Sequence, residues 1–250
     1  MGYETKAHIN QPGLKASKTF LSPAALMVKK RKHYFWLVPL ILIVLLVLMH
    51  GPVLNGLGTF LAPAGEREGD AVVLEGTQML ITQGVKLGVA LLKEGRVKRM
   101  YLILHLLPKE QQLFAIQEEY AGILGKELER LGVKRGQYRV LLAPINDHPI
   151  TLAEARFAVP YLFRDGVKKA ILLAKGFHTR RSLWTYQRLG NSLGIRFVPV
   201  PYFPSYPKEK WWRHLEGIKD FTAESAKLGY YLVKGYLPVR SLWNSDSKNH

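Results

Sequence analysis

From Asp70 onward, short apolar runs alternate with longer amphipathic stretches. Ala71 to Leu74, Arg99 to Leu104, Tyr138 to Leu142, Ala170 to Ala174 and Ile195 to Val200 are compact apolar segments of strand length. Between them, Gln78 to Glu94, Lys109 to Leu131, Thr151 to Asp165 and Thr179 to Leu193 carry apolar residues at helical spacing. These stretches mostly end at a glycine, at Gly95, Gly132, Gly166 and Gly194, where a left-handed residue closes a helix. Strand, helix and glycine repeating in this order predict an α/β three-layer sandwich with a mainly parallel, Rossmann-like sheet. A last helical region is expected from Lys208 to Lys234, after the proline-punctuated aromatic loop Pro199 to Pro204.

Upstream the pattern changes. Tyr34 to Met49 holds no charged residue and Gly51 to Leu61 extends the run, so roughly 20 residues are available to cross a hydrocarbon core. Lys29, Lys30, Arg31 and Lys32 stand directly before it. By the positive-inside rule this predicts a single-pass inner-membrane protein. Residues 1–33 would be a basic cytoplasmic tail, 34–61 the transmembrane anchor and exit segment, and everything beyond periplasmic or otherwise extracytoplasmic. A cleaved signal peptide, for which Ala62-Pro63-Ala64 offers a site, is set aside because Ala64 lies about 15 residues past the apolar core, and a buried core helix because such a helix is not normally all-apolar with a basic flank. Gly65 to Gly69 reads as a short linker, residues 70–237 as the folded domain and 238–250 as a C-terminal tail.

Charge and cysteine usage refine this picture. A formal charge of +17 calls for an anionic partner, whether nucleic acid, lipid or a phosphorylated substrate. Part of it is topological, since Lys6, Lys15, Lys18 and the Lys29 to Lys32 cluster stand against only Glu4 ahead of the apolar run. The anchor places the basic domain outside the cytoplasm and no nucleic-acid module is recognisable, so inner-membrane lipid is the expected partner and nucleic acid is not. With no cysteine, the chain has no disulfide, thiol catalysis or cysteine metal site.

In a parallel sheet the loops after the strands share one edge, and chemistry is expected there. The stretch Lys169 to Arg181, KAILLAKGFHTRR, reads as a buried strand, a turn at Gly176 and a helix start carrying His178, Arg180 and Arg181. Glu75, Gly76, Thr77, His105, Asn146, Asp147, His148 and Thr151 are expected to converge on the same edge. Gly76 and Gly176 let backbone approach a ligand, and helix N-termini offer N–H groups to an anion. His178 and Arg181, one helical turn apart, would face a phosphate or carboxylate over the turn. The plainer roles are helix capping for Glu75 and Thr77, an Asx turn for Asp147 before Pro149, and a solvated helix start for His178 and the arginines. No GxGxxG, GxxxxGK[ST] or GxSxG motif is present, so no cofactor or nucleophile is assigned. His105, His148, His178 and Asp147 lack a ligand spacing, and no metal is expected. Tyr202, Phe203, Tyr206, Trp211 and Trp212, beside Lys208, Lys210 and Arg213, fit either a membrane surface or, for the tryptophans, a core.

ILLAKGFHTRRSLWTYQRLG places an aromatic-His-x-x-Arg pattern, Phe177, His178 and Arg181, after a late strand. AVVLEG, LLKEGRVKRMYL, Glu118 or Glu119 followed by LGV, Thr151 with Ala155, and Glu224 with Lys227 stand in a fixed order around it. In this order the domain resembles the YdcF-like family of SanA/ElyC-like envelope proteins. The chain departs from that pattern where consecutive glycines are usual and Glu75-Gly76-Thr77 stands. It departs again at Gly84, near Lys86, in place of an arginine, and at Leu104 to Leu107 in place of glycines. Ile150 takes an asparagine position, and Ala153 and Glu154 stand for Glu and Asn in an Asn-Thr-x-Glu-Asn-Ala motif. The resemblance implies a role in peptidoglycan or polysaccharide biogenesis, with a phosphorylated envelope precursor as ligand and envelope-assembly proteins as partners. The departures imply the alternative, a catalytically inactive interaction or scaffold domain.

Overall fold

Successive residues of a strand point to opposite faces of its sheet, so a strand covered on both sides must be apolar throughout. The computed structural model, which describes residues 23–77, 82–106, 116–145 and 147–237, builds such a sheet. Its strands are β1 (Ala71–Thr77), β2 (Arg99–Leu106), β3 (Tyr138–Pro144), β4 (Lys169–Lys175) and β5 (Arg196–Tyr202). Its helices are α1 (Pro23–Leu61), α2 (Thr82–Lys93), α3 (Ile116–Arg130), α4 (Ile150–Arg164), α5 (Thr179–Gly190) and α6 (Leu215–Val233). All strand pairs are parallel, in the order β3-β2-β1-β4-β5. The fold is therefore the expected Rossmann-like α/β architecture. Its strand order reverses between β1 and β4, which is where such sheets open a crevice at their carboxyl edge.

One set of alternate residues, including Val72, Leu74, Met100, Leu102 and Leu173, packs against α2 and α3 through Val85, Val89, Leu124 and Leu128. The other set, including Ala71, Val73, Ile103 and Leu172, packs against α4 and α5 through Ala155, Val159, Leu183 and Tyr186. The glycines expected to end helices do so, Gly95, Gly132, Gly166 and Gly194 having φ of 70°, 84°, 75° and 68°. β5 runs on past the expected Val200 despite Pro199 and Pro201. Among the described strands it is an edge strand that pairs only with β4, where missing N–H groups are tolerated. The expected first turns of α2 and α3, at 78–81 and 109–115, lie outside the described residues, as do the greater part of the expected tail at 1–33 and the tail at 238–250.

Contacts divide the chain into Met1–His50 and Gly51–His250. In the first unit, Leu37, Val38, Leu40, Ile41, Leu42, Ile43 and Val44 are apolar and exposed. Among the described residues no single helix is long and apolar enough to cross a membrane; Leu37–Val44 and Met49–Leu61 reach that length and composition only as a pair.

In the second unit the end of α1 is part of the domain. Leu61 and Ala62 are buried in a third cluster with Phe177, Trp184, Tyr206, Trp211, Leu228 and Tyr231. Carbonyls near the end of a helix need outside partners. Here Arg180 Nε donates to the Phe60 carbonyl, and Lys208 Nζ donates to that of Ala62 at 2.9 Å. Trp211 Nε1 adds a bond to the Leu54 carbonyl at 3.1 Å. The Gly65–Gly69 segment is likewise fastened: Gly65 donates to the Pro199 carbonyl at 2.8 Å, and Gly69 to that of Arg96 at 3.0 Å. Tyr206 and Trp211 belong to the same cluster, with Phe203 and Trp212 packed against it, and Tyr202 is buried in the first cluster, so burial argues against a membrane-surface role for Tyr202, Tyr206 and Trp211. Trp211 stacks on Phe221 at 4.2 Å between ring centroids, and Phe177, beside His178, meets Phe203, Trp211 and Phe221 edge-on.

Candidate functional site

The carboxyl ends of β1 and β4 carry two linked carboxylate-centred networks. At the end of β1 the register against β2 shifts between Leu74 and Thr77, an irregularity that turns Glu75 and Gly76 toward the crevice. Gly76 has no room for a side chain, since a Cβ there would lie 2.7 Å from the His105 ring. Its N–H donates to Glu154 Oε1 at 3.0 Å. The same oxygen accepts from the Tyr186 hydroxyl at 2.8 Å, while Glu154 Oε2 lies 2.7 Å from His105 Nε2. Glu154 is 2% exposed, and a carboxylate so deeply buried requires partners of this kind. One side chain of α4 thus ties β1, β2 and α5 together. Burial and then the Glu154 charge drive the Tyr186 phenol well above its usual pKa.

At the end of β4, Gly176 adopts a left-handed φ of 52°, which an L side chain would resist. Its carbonyl accepts from Thr179 Oγ1 at 2.7 Å, which fixes the start of α5 and aims His178 and Arg181 inward. Arg181 turns all five of its N–H groups toward protein atoms. Nε and Nη2 donate to Glu224 Oε2 at 3.0 and 2.8 Å, a two-pronged contact with α6. Nη1 donates to Thr151 Oγ1 at 2.8 Å and to the Tyr231 hydroxyl at 3.2 Å. Nη2 also lies 2.7 Å from His178 Nδ1. Glu224 Oε1 accepts from Lys227 Nζ at 2.8 Å. Burial works against the Glu224 charge, but His178, Arg181 and Lys227 outweigh it and hold the carboxyl well below the usual carboxylate range.

His178 joins the two networks. In its neutral form the imidazole can accept from Arg181 at Nδ1 and keep its proton on Nε2, 3.6 Å from Glu75 Oε1. A second proton would sit on Nδ1 and turn toward Glu224 Oε2, 3.3 Å away. Burial opposes that protonation and Arg181 repels it. The Glu75 charge and the contact with Glu224 prevail, and the His178 pKa is pushed up to about 9.

A folded pKa above the unfolded 6.5 means stability fully present below pH 6.5 and lost as pH rises through 9. The depressed Glu224 works in the opposite sense, its contribution being present above 4.5 and lost on acidification. Urea unfolding of the full chain in detergent is therefore expected to show greatest stability near pH 5 to 6.5, with about 2 kcal/mol lost on the alkaline limb. His178→Gln should flatten that limb. An unchanged alkaline limb in the variant would remove His178 as its cause.

The residues singled out from the sequence fare differently. Glu75, Gly76, Thr151, Gly176, His178 and Arg181 are brought together as described. Thr77 ends β1 opposite Leu104, whereas Asn146 lies outside the described residues. Asp147 is exposed and has no hydrogen bond or ion pair with the described residues. Sequence reasoning did not include Glu154, Glu224, Tyr186 or Tyr231 in the site. A signal existed for Glu224: with Gly217, Leu228 and Tyr231 it occupies the buried stripe of α6, where a carboxylate needs a buried counter-charge. Glu154 sits one turn after Thr151 on a buried face with Leu152, Ala155 and Ala158.

The chain matches no protein-family model and no curated protein. Among solved structures it is similar to a protein of the universal stress protein family from Burkholderia pseudomallei, at TM-score 0.34 and 10% identity, over 55% of this chain and 99% of that one. At that level the likeness carries no argument about the site.

Proposed function

We propose that this chain is a membrane-anchored YdcF-like domain protein acting in cell-envelope biogenesis as a non-catalytic binding or scaffold domain. The anchored placement is supported by the Lys29 to Lys32 cluster ahead of an uncharged run, and the process by the ordered motifs from AVVLEG to Glu224. The choice of a non-catalytic mode rests on one observation: the groups that would hold a phosphorylated ligand already hold the protein's own carboxylates. Arg181 has four N–H groups on Glu224, Thr151 and Tyr231 and the fifth facing His178 Nδ1, and the Gly76 N–H is held by Glu154. A phosphate entering here would have to displace a buried carboxylate and leave it unpaired, which costs several kcal/mol.

Two measurements test the reading. Calorimetric titration of the full chain in detergent with inorganic pyrophosphate and with a nucleoside diphosphate is expected to give no saturable heat. Saturable binding that disappears in Arg181→Lys would restore the phosphorylated-ligand reading. Alkaline phosphatase fused after His250 is expected to be active in cells, and an inactive fusion beside a fluorescent cytoplasmic one would reverse the topology.

A further inference from the structure

Glu75 is the one member of the cluster with both oxygens buried and neither accepting a hydrogen bond from the described residues. It is 7% exposed and stands at the irregular end of the central strand, at the switch point of the sheet. His178 Nε2, at 3.6 Å, lies beyond hydrogen-bond reach. The donors around it are committed elsewhere: the Gly76 N–H and the Tyr186 hydroxyl to Glu154, and Arg181 to Glu224, Thr151, Tyr231 and His178. The two permanent cations of the cluster, Arg181 and Lys227, both bond Glu224, so among the described residues Glu75 and Glu154 pair only with the imidazoles of His178 and His105.

We propose that Glu75 is the anchoring acceptor of a site for a primary ammonium group, carried by a small molecule or by a lysine side chain. The proposal rests on the reading of this edge as a binding site and specifies what it binds. Glu75 has the His178 imidazole at ion-pair distance but no hydrogen-bond donor on either oxygen, and a buried carboxylate left without donors is costly; a cation with N–H donors supplies both charge and hydrogen bonds, whereas a hydroxyl supplies only the second. Anions are disfavoured by the unmet acceptor itself. Among the described residues no group of three ligating side chains offers a metal site. Glu75 also stands where the resembled family carries a glycine, so the acceptor is a feature of this chain.

The chain has its own substitute cation in the second proton of His178, and the ammonium must compete with it. The titratable and charged groups around the pair are Glu75 on β1, His105 on β2, Glu154 on α4, Tyr186 and Arg181 on α5, Tyr202 on β5, and Glu224, Lys227 and Tyr231 on α6. Tyr202, with its pKa raised to about 12 by burial and by Glu75, stays neutral below that pH. His178 is then the group whose loss of charge at alkaline pH leaves Glu75 to the ligand.

The test is thermal unfolding of the full chain in detergent, at constant ionic strength, titrated with methylammonium or with tetramethylammonium near pH 7 and pH 9. Methylammonium is expected to raise the melting temperature saturably, more at pH 9 than at pH 7, while tetramethylammonium, which has no N–H, has no effect. Glu75→Gln should weaken the apparent affinity by about tenfold or more, and Glu75→Asp should keep part of it. Glucosamine and Nα-acetyl-lysine amide, as further arms, separate the two carriers, and a tighter response to either supports the site. No saturable response of the unsubstituted chain to methylammonium overturns the proposal, as does an equal response in Glu75→Gln or to tetramethylammonium. Saturable pyrophosphate heat would overturn the non-catalytic reading above and leave this result standing, so the two failures are distinguishable.

Discussion

Replacing Arg181 with leucine is expected to cost the domain about 3 to 5 kcal/mol, the range for removing one partner of a buried ion pair. The guanidinium side chain is 8% exposed and the Glu224 side chain 12%, so neither is well solvated. Without Arg181, Glu224 keeps only Lys227 at the rim and the His178 contact, while Thr151 and Tyr231 lose their donor. The midpoint of urea unfolding in detergent should fall accordingly. The cost belongs to the abandoned charge more than to the pair. Arg181→Leu combined with Glu224→Leu should therefore recover a large part of the loss, a coupling that a double-mutant cycle measures. A loss below about 1 kcal/mol in the single variant, or no recovery in the double, would show that α5 and α6 are not held together by this pair.

Glu154→Ala is expected to cost about 3 kcal/mol, through a different route. Here the acceptor goes and the donors remain: the Gly76 N–H, the Tyr186 hydroxyl and His105 Nε2. The Gly76 N–H has little freedom to seek another partner, because the strand end packs so closely on the His105 ring that a Cβ at Gly76 would lie 2.7 Å from it. Tyr186→Phe removes one donor with its share of the bonding and should cost only about 1 kcal/mol. Hydrogen exchange at Gly76 is the sharper readout, since its amide should lose protection in Glu154→Ala and keep it in Tyr186→Phe. Retained protection in Glu154→Ala would mean that the irregular end of β1 is held by other contacts.

The strands and helices were legible because each is a local pattern: Ala170 to Ala174 is apolar on both faces, and Gly166 and Gly194 close the helices before β4 and β5. The gathering of Glu75, Gly76, Thr151, His178 and Arg181 at one edge was legible too, since parallel strands bring their carboxyl ends together. What those residues do there was less legible. Arg181 reads as a free cation until Glu224, 43 residues away, is seen to occupy it. Glu154 reads as a displaced motif residue until its two oxygens are found joining Gly76, Tyr186 and His105. Side-chain pairing across such distances leaves no periodic trace. A buried carboxylate on an otherwise apolar helix face announces that a partner is needed, without saying which.

The fastening of residues 51–62 gives α5 a mechanical role. Arg180 grips the Phe60 carbonyl and stacks on the Phe60 ring at 4.8 Å, while its neighbour Arg181 grips Glu224. A torque on that helical segment has a path through Arg180 and a single peptide unit to Arg181. Lys208 and Trp211, bonded to Ala62 and Leu54, close a second load path into α6 through the contact of Trp211 with Phe221. The segment is thus held at three carbonyls, those of Leu54, Phe60 and Ala62, and the side chains that hold them lead on to the Arg181–Glu224 contact and to α6.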